Sequence, residues 1–287
     1  MNAGRVVVIG AGTMGHGIAQ VAAMAGYDVT LTDTALDLAE RGIDRIRENL
    51  DGGVARGKVT AAERDATMAR LRASASIADA AADADIAIEA VPERLDLKTR
   101  IFAALVDATP DRAILASNTS SLSITEMQDA TASPGRVIGL HFFNPVHINR
   151  LVEVVRGSRT DAHVVDDATA FVRALGKEPV VVNDSPGFAT SRPGVLLGLE
   201  AMRMVEEGVA SAADIDKALE LGYRHPMGPL RLTDLVGLDV RLDIAEYLHD
   251  RLGSEAFRPP QILRDMVAAG RLGRKTGEGF YRWDEEQ

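Results

Sequence analysis

The 287-residue sequence contains no cysteine, and it has no apolar run close to the roughly 20 residues that cross a bilayer. The first absence excludes disulfide bonds, thiolate catalysis and cysteine-ligated metal sites. The chain also lacks the basic-then-apolar leader that is typical of a secretion signal. We therefore expect a cytoplasmic protein with no membrane partner.

Basic residues are scarce relative to acidic ones, since 32 Lys and Arg stand against 42 Asp and Glu and give a net charge of −10. This balance argues against non-specific binding to nucleic acid or to an anionic membrane surface. An anionic ligand needs a local basic patch, because the overall field repels it. Hydrophobic residues make up 46% of the chain, which is ample for a buried core, and the length fits one large domain or two smaller ones.

A glycine-rich loop near the N-terminus carries the first chemical signature. Residues 5–10 form an apolar run that predicts a buried parallel strand. Residues 10–15 match G-x-G-x-x-G, and apolar residues at helical spacing follow them. A strand, a glycine loop and a helix in this order are typical of dinucleotide binding, where the helix N-terminus faces the pyrophosphate. The residues expected to contact the cofactor are Gly10, Gly12, Thr13, Met14 and Gly15.

Asp33 follows a second predicted strand and lies 18 residues beyond Gly15. A carboxylate at about this distance accepts hydrogen bonds from the ribose 2′-hydroxyl and repels a 2′-phosphate. Thr34 and Ala35 come next, with no arginine to bind such a phosphate. The sequence therefore predicts NAD rather than NADP. The alternative is a glycine turn in an unrelated α/β protein.

Basic residues collect in a region that we predict to be helical from residue 35 to residue 72. Arg56 and Lys58 stand beside a glycine-marked break in this region, in the most basic part of the N-terminal half. A solvated helical face is one interpretation of this stretch, and a patch that binds an anionic ligand is the other.

Polar residues follow the predicted strand at 113–117. Asn118 and Ser120 come directly after it, at the carboxyl edge of the predicted sheet, where ligands bind in open α/β folds. The alternative role for this cluster is to cap the helix that follows. Since Ser123 and Glu126 form the expected capping pair, we expect Asn118 and Ser120 to contact a ligand.

A histidine and a glutamate stand in two neighbouring apolar stretches, residues 137–143 and 151–155, which we predict to be strands. Asn144 and the proline after it indicate a turn between them. An antiparallel hairpin centred midway between the two stretches would place His141 opposite Glu153. A carboxylate in that position fixes the tautomer of the imidazole and raises its basicity, as a general base requires. The alternative is a surface histidine beside a solvated glutamate.

Hydride transfer from an alcohol carbon needs a base for the hydroxyl proton and a polar group that holds the oxygen. His141 with Glu153 can supply the base, and Ser120 and Asn144 can supply the polar contacts. No metal-ligand motif or nucleophile elbow competes with this interpretation. The sequence therefore predicts a dehydrogenase that needs no metal.

Turn-forming residues at 183–187 mark the predicted domain boundary. Before them we predict an α/β Rossmann-type domain with a mainly parallel sheet, residues 1–184. After them we predict an all-α domain, residues 185–287, because helical periodicity dominates there. The elements predicted in it are helices at 195–207, from 211, at 238–252 and at 260–269, a loop at 227–229 and a basic, glycine-rich tail at 270–283.

Seven segments together carry a resemblance to a known family: GAGTMGHGIAQ at 10–20, SNTSSL at 117–122, HFFNP at 141–145, LVE at 151–153, DSPGF at 184–188, HPMGP at 225–229 and LGRKTGEGFY at 272–281. They resemble the 3-hydroxyacyl-CoA dehydrogenase family, and most of all its short 3-hydroxybutyryl-CoA dehydrogenase members. The resemblance covers essentially the full length of the chain. It implies a reversible, NAD-dependent oxidation of an (S)-3-hydroxyacyl-CoA to a 3-oxoacyl-CoA.

The resemblance also implies roles for individual residues. His141 would be the general base, Glu153 would orient it, and Ser120 and Asn144 would surround the reacting oxygen and the imidazole. Asp33 would hold the adenosine ribose. The nicotinamide half would be contacted by Glu93, Lys98 and Asn118, and the CoA phosphates by the region of Arg56 and Lys58. Members of the family usually dimerise through the helical domain, so a homodimer is implied.

One position departs from the family pattern. Where the family commonly has an asparagine that helps to hold the substrate, this chain has Ser191, whose hydroxyl is shorter. We therefore expect an altered contact and a different acyl-chain preference. Spare cations such as Arg150 or Arg192 would favour a dicarboxylic acyl-CoA, for example 3-hydroxyadipyl-CoA, as an alternative substrate. An alternative of another class is a non-catalytic, crystallin-like NAD-binding protein.

Overall fold

The computed structural model describes residues 4–283. The chain divides into two compact units, Met1–Ser185 and Pro186–Gln287. The first unit contains an eight-stranded sheet with helices, and the second unit is helical. The predicted fold class, an α/β domain followed by an all-α domain, is confirmed.

Eight strands form the sheet of the N-terminal unit. They are β1 Arg5–Ile9, β2 Asp28–Thr32, β3 Leu71–Ser74, β4 Ile86–Glu89, β5 Ile114–Ser117, β6 Val137–Phe142, β7 Leu151–Arg156 and β8 Glu178–Asn183. The order is β3-β2-β1-β4-β5-β6-β7-β8. Strands β1 to β6 are parallel, β7 is antiparallel to β6, and β8 is parallel to β7. The sheet is therefore mainly parallel, as predicted.

Helices accompany this sheet along the chain. They are α1 Thr13–Met24, α2 Leu36–Ala55, α3 Ala61–Met68, α4 Ile77–Ala81, α5 Leu95–Ala108, α6 Ile124–Asp129 and α7 Ala162–Ala174. Val6, Val8 and Ile88 in the central strands are buried, as expected where helices cover both faces of a parallel sheet. Ser123 caps α6 by accepting a hydrogen bond from the backbone N–H of Glu126, so the predicted capping pair is confirmed.

The direction of strand order reverses at β1. The chain passes outward from β1 through β2 and β3, and then returns to place β4 on the other side of β1. In open α/β sheets, ligands bind in the crevice outside the carboxyl ends of the strands at such a switch point. The fold therefore brings the glycine loop after β1 and the polar residues after β4 and β5 to one edge of the sheet.

The helix predicted from residue 35 to residue 72 is wrong at its end, where Leu71–Ser74 forms the edge strand β3. The rest of the region is helical as predicted, and its two helices are separated at the predicted glycine-marked break, where Gly57 has a φ of +65°. Thr60 and Glu63 form a capping box that starts the second helix. Pairing with β2 stabilises β3, and a four-residue strand whose partner is distant in sequence leaves no local periodicity to detect.

Within residues 186–283, the C-terminal unit contains five α-helices. They are α8 Ser191–Glu206, α9 Ala212–Tyr223, α10 Pro229–Val236, α11 Leu238–Leu252 and α12 Gln261–Ala268. They pack around a buried apolar core that includes Leu199, Met202, Leu230 and Leu248.

Pro229, which we predicted in a loop, is the first residue of α10. Proline suits this position because it has no N–H that would lack a partner there. The next two N–H groups, those of Leu230 and Arg231, each donate to an oxygen of the Asp216 carboxylate at 2.8 Å. A side chain from α9 therefore caps α10, and no pattern within residues 227–236 reveals this.

Candidate active site

His141 and Glu153 lie side by side on the antiparallel strands β6 and β7. They are direct partners in the pairing register, and His141 Nδ1 is 2.7 Å from Glu153 Oε2. His141 is 7% exposed, and Glu153 is fully buried. The predicted cross-strand placement is confirmed, and a surface histidine beside a solvated glutamate is excluded.

This contact decides which ring nitrogen of the histidine can act as a base. An ionised carboxylate only accepts hydrogen bonds, so the proton of a neutral His141 belongs on Nδ1, facing Glu153. The lone pair is then on Nε2, and this nitrogen can take a proton from a ligand. The Phe143 ring packs against the imidazole with 4.3 Å between ring centroids, which limits how far the imidazole can rotate.

Gly139 lies two residues before His141, on the same face of β6, and pairs with Val155 of β7. A Cβ at Gly139 would stand 2.7 Å from Val155 Cβ and 3.0 Å from Ile124 Cδ1 of α6. Both neighbours therefore pack directly on the backbone of the strand that carries the histidine, and they leave no room for a side chain.

The loop after β6 carries Asn144 and is anchored by a buried lysine. The Lys177 ammonium donates to the carbonyl oxygens of Val146 and Asn149, at 2.6 Å each. Burial lowers the pKa of Lys177. Asn144 itself is exposed, three residues after the histidine. The lysine thus fixes the backbone of the loop that presents Asn144.

A buried ion pair lies at the carboxyl ends of β4 and β5. Lys98 Nζ, from α5, is 2.8 Å and 3.0 Å from the two carboxylate oxygens of Glu89, and both side chains are fully buried. Ser117 Oγ donates to Glu89 at 2.6 Å. The Glu93 carboxylate is also 3.2 Å from Lys98 Nζ. Two carboxylates therefore share one ammonium at this edge.

Glu93 connects the ion pair to the polar loop after β5. One of its oxygens accepts hydrogen bonds from Thr119 Oγ1 at 2.5 Å, from the Ser120 backbone N–H at 3.0 Å and from Ser120 Oγ at 3.3 Å. Asn118 Oδ1 accepts from the backbone N–H of Phe142 at 2.9 Å. The ends of β4, β5 and β6 are thus linked through the residues predicted to bind the nicotinamide half and the reacting oxygen.

The glycine loop fits a dinucleotide. Gly10 has a φ of +99°, and a Cβ there would stand 2.7 Å from the carbonyl oxygen of Ala90. A Cβ at Gly15 would stand 1.6 Å from the carbonyl oxygen of Gly10, whereas one at Gly12 would meet nothing within 4 Å. The first and third glycines are therefore required by the protein's own packing. The second leaves open space in which a ligand can approach the backbone.

Asp33 stands at the end of β2 and contacts the same loop. Its Oδ2 accepts from the Ala11 backbone N–H at 2.8 Å, and its Oδ1 accepts from the Thr34 backbone N–H at 2.7 Å. A carboxylate offers about four acceptor positions, so Asp33 keeps capacity for ribose hydroxyls. Thr13 and Met14 begin α1 directly after the loop. Together these groups suit the adenosine and pyrophosphate parts of NAD.

Comparison with known families agrees with this geometry. Residues 5–185 match the model of the 3-hydroxyacyl-CoA dehydrogenase NAD binding domain, and residues 187–283 match the model of the C-terminal domain of the same enzymes. The chain belongs to the 3-hydroxyacyl-CoA dehydrogenase family. The family and the cofactor expected from the sequence are confirmed.

Three members of the family are similar to this chain over nearly all of its length. A probable 3-hydroxybutyryl-CoA dehydrogenase of Bacillus subtilis is 45% identical over 98% of each chain. The crystal structure of M. tuberculosis FadB2 has a TM-score of 0.95 and 44% identity, over 98% of this chain and 99% of that one. A 3-hydroxyadipyl-CoA dehydrogenase of Escherichia coli is 43% identical over 100% of this chain and 60% of its own length.

In this 3-hydroxyacyl-CoA dehydrogenase, Arg56 and Lys58 lie on opposite sides of Gly57 and face different surroundings. Burial and then nearby basic groups, Arg56 among them, lower the pKa of His147 in the loop after β6. Lys58 instead lines a cavity with Met24, at the C-terminal end of α1. Arg56 is therefore near the loop that follows the histidine strand, whereas Lys58 lies beside the far end of α1.

Three residues that the sequence related to substrate preference have different surroundings in the structure. Ser191 is the first residue of α8. Arg150 already pairs with Glu178, with 2.6 Å between Arg150 Nη2 and Glu178 Oε1, and Arg192 is exposed. Arg150 is therefore poorly suited to bind a further carboxylate.

Glu89 and Lys177 support the site but were not predicted from the sequence as site residues. The sequence does indicate a role for Glu89, because an acidic residue within an apolar strand is buried and a buried carboxylate requires a charged or hydrogen-bonding partner. Lys177 left none. Its acceptors are two backbone carbonyls, 31 and 28 residues earlier in the chain, and backbone groups look alike in every sequence.

The described part of the chain, residues 4–283, has neither a metal-binding cluster nor a membrane-spanning helix. No group of three or more His, Asp or Glu side chains there is arranged to hold a metal ion. In the same part of the chain, no helix is both long and apolar enough to cross a membrane.

Proposed function

We propose that the protein oxidises (S)-3-hydroxybutyryl-CoA to the 3-oxoacyl-CoA, reversibly and with NAD. The buried contact of 2.7 Å between His141 and Glu153 carries this proposal, because it prepares a base at the edge of the sheet that also carries the dinucleotide loop. The short-chain substrate rests on relatives such as the B. subtilis protein, which is called a probable 3-hydroxybutyryl-CoA dehydrogenase.

His141 Nε2 accepts the proton of the substrate 3-hydroxyl as the carbon–oxygen bond becomes a carbonyl. The positive charge that forms on the imidazole is stabilised by the Glu153 carboxylate on the opposite ring nitrogen. Bound NAD would supply the acceptor for the hydride that leaves the same carbon. In the reverse direction the imidazolium returns its proton to the oxygen of the carbonyl.

Ser120 and Asn144 hold the reacting oxygen in this proposal. Ser120 sits on the loop that Glu93 fixes through the Ser120 backbone N–H, and Asn144 sits on the loop that Lys177 anchors. Hydrogen bonds from such fixed groups stabilise the partial charge that develops on the oxygen. The region of Arg56 and Lys58 is proposed to meet the phosphates of CoA, and Ser191 to contact the substrate.

The proposal is tested by following NADH absorbance with (S)-3-hydroxybutyryl-CoA and NAD. We expect turnover that saturates in both compounds. Absence of turnover with C4 to C8 and dicarboxylic 3-hydroxyacyl-CoA compounds would reject the proposal. Binding of NAD without any turnover would support the crystallin-like alternative instead.

A dicarboxylic acyl-CoA is a second candidate substrate. The E. coli relative, 43% identical over the whole of this chain, is called a 3-hydroxyadipyl-CoA dehydrogenase. The ratio of kcat/KM for 3-hydroxyadipyl-CoA to that for 3-hydroxybutyryl-CoA decides between the two, and a ratio above one selects the dicarboxylic compound.

Asp33 is proposed to hold the adenosine ribose and to exclude NADP. Replacing Asp33 with serine removes the charge that repels a 2′-phosphate, so we expect the ratio of kcat/KM with NADP to that with NAD to rise by about tenfold or more. Asp37→Ser removes the same charge in the first turn of α2 and serves as the control. An unchanged ratio in Asp33→Ser would place the ribose elsewhere.

We propose a homodimer that forms through the helical unit. Leu232, Leu235 and Val236 of α10 are exposed, and their spacing places them on one face of the helix. Such a face in water favours contact with another apolar surface, and a second copy of the chain is the partner that the family resemblance implies. A role of residues 185–287 in substrate binding and dimerisation, and a cytoplasmic location, stay predictions.

The dimer is tested by light scattering of Leu232→Glu at several protein concentrations. We expect the parent protein to have the mass of two chains and the variant to dissociate toward one, because each dimer would bury two added charges. Val181→Glu, on the exposed edge strand β8, is the control and should keep the parent mass. A monomeric parent protein would refute the dimer.

A further inference from the structure

The segment at residues 10–20 contains a fourth glycine, Gly17 of α1, which the dinucleotide loop does not explain. Gly15 faces that loop, since a Cβ there would overlap the carbonyl oxygen of Gly10. Gly17 lies two residues further along the helix, and residues at that spacing do not share a face. Because glycine inside a helix lowers helix stability relative to alanine, Gly17 needs a reason of its own.

The neighbour that requires Gly17 is Val146, in the loop after β6. A Cβ at Gly17 would stand 2.9 Å from Val146 Cγ2 and 3.0 Å from Val146 Cβ. Val146 is 2% exposed and belongs to the same buried core as Ile18 of α1. Carbon atoms in ordinary contact are about 3.5–4.0 Å apart. The Val146 side chain therefore fits against α1 only because position 17 has no side chain.

Hydrogen bonds make the loop after β6 a single unit. The carbonyl oxygen of Pro145 accepts from the backbone N–H groups of Ile148 at 3.0 Å and Asn149 at 2.9 Å. The Lys177 ammonium donates to two carbonyl oxygens of the same loop, at 2.6 Å each. A displacement at one point of the loop therefore moves all of it, including Asn144.

We propose that Gly17 and Val146 are positioning residues, whose contact fixes the distance between the bound cofactor and the loop that presents Asn144. The N-terminus of a helix such as α1 faces the pyrophosphate of a dinucleotide, so a contact with α1 locates the loop relative to the cofactor. Lys177, directly before β8, ties the loop to the sheet, whereas Val146 ties it to the cofactor helix. The proposal rests on the proposed function, in which Asn144 holds the reacting oxygen.

Gly17→Ala tests this contact through the rate of hydride transfer. Its methyl group has to displace Val146 by about 0.6–1 Å to reach an ordinary contact distance, and a misplacement of about 1 Å can cost about 10²-fold in rate. We expect kcat with (S)-3-hydroxybutyryl-CoA to fall by about 10–100-fold, while the dissociation constant of NADH, measured by its fluorescence, stays unchanged. The primary isotope effect of substrate deuterated at carbon 3 should rise, because hydride transfer becomes slower than product release.

Rescue separates positioning from a general disturbance of the core. Val146→Ala removes the two methyl groups of Val146, so the double variant with Gly17→Ala has room for the new side chain. Since the effects of residues in contact are not additive, its kcat should be about tenfold above that of Gly17→Ala. Should Gly17→Ala fail to fold, Val146→Ala alone loosens the loop from α1 and should lower kcat by about threefold or more.

The matched control is Gly222→Ala in α9, the same substitution at a helical glycine where a Cβ would meet nothing within 4 Å. It should retain the parent kcat, isotope effect and NADH affinity.

Hydrogen exchange tests the contact without turnover. NADH should slow exchange in the peptide that covers residues 143–149 of the parent by about twofold or more, because ordering of α1 stabilises a loop that packs on it. The slowing should be lost in Gly17→Ala and kept in Gly222→Ala.

An unchanged kcat and isotope effect in Gly17→Ala, in the presence of parent turnover, would overturn the proposal. So would a loss of kcat that the double variant does not recover, or one accompanied by equally weakened NADH binding, because the methyl group would then act on the dinucleotide loop. Absence of turnover by the parent would reject the proposed function instead. Exchange would still decide the coupling, which is supported by NADH protection that Gly17→Ala loses and overturned by its absence in the parent.

Discussion

Replacing His141 with glutamine is expected to lower kcat by about 10³-fold or more, with little change in the KM for the acyl-CoA. The glutamine amide can hold a hydrogen bond, but it cannot take the proton that the imidazole Nε2 accepts. Loss of general base catalysis alone accounts for about 10²–10⁴-fold. NADH formation at saturating NAD and substrate measures the effect.

Two further variants test whether the loss of activity is specific to the pair of His141 and Glu153. His163→Gln, on the exposed surface of α7, should retain parent activity. Glu153→Gln should lower kcat by about 10–100-fold, because it leaves His141 in place but replaces the carboxylate with a neutral amide. The amide cannot balance the charge of the imidazolium, and its NH2 group can hydrogen-bond to the wrong tautomer of the imidazole. Near-parent activity in His141→Gln would refute the assignment of this pair as the proton-accepting group.

Replacing Lys98 with methionine is expected to lower the free energy of unfolding by about 3–5 kcal/mol. The change leaves the fully buried carboxylate of Glu89 without the ammonium that now contacts both of its oxygens. An uncompensated charge in the interior is one of the most unfavourable changes that a single substitution can make. Urea denaturation, followed by circular dichroism, measures the loss.

The matched control is Arg94→Met, which breaks the exposed pair with Asp96 and should cost less than about 1 kcal/mol. The double variant Lys98→Met with Glu89→Leu removes both charges and should recover part of the stability. A loss below about 1 kcal/mol in Lys98→Met would mean that Glu89 is protonated or hydrated when the lysine is absent, and the ion pair would then contribute little.

The parts of the fold with strong local signals were predictable. Continuous apolar runs identified the central strands, and the glycine loop identified the first β-α-β unit. The pairing of His141 with Glu153 was predictable because side chains alternate along a strand, so the centre of a hairpin determines every partner on both strands. The family resemblance added the reaction class, which strand pairing alone does not provide.

The parts that depend on distant partners were not predictable. The strand β3 has four residues and gains its hydrogen bonds from β2, so its own composition suggested a helix. Lys177 resembles a surface lysine in the sequence, yet it is buried and holds two carbonyls of the loop that presents Asn144. Arg241 likewise occurs in a helix of ordinary composition, yet its side chain is buried.

Gly139 fixes the pairing register of β6 and β7, the two strands that carry His141 and Glu153. Because Gly139 has no side chain, Val155 and Ile124 pack directly against its backbone. The strands β6 and β7 therefore fit together in only one pairing register. A shift of one residue would set a side chain against Val155 and would turn His141 to the opposite face of the sheet from Glu153. A substitution at this glycine would therefore be recorded in an assay as the loss of a catalytic base, although every catalytic side chain would still be present in the sequence.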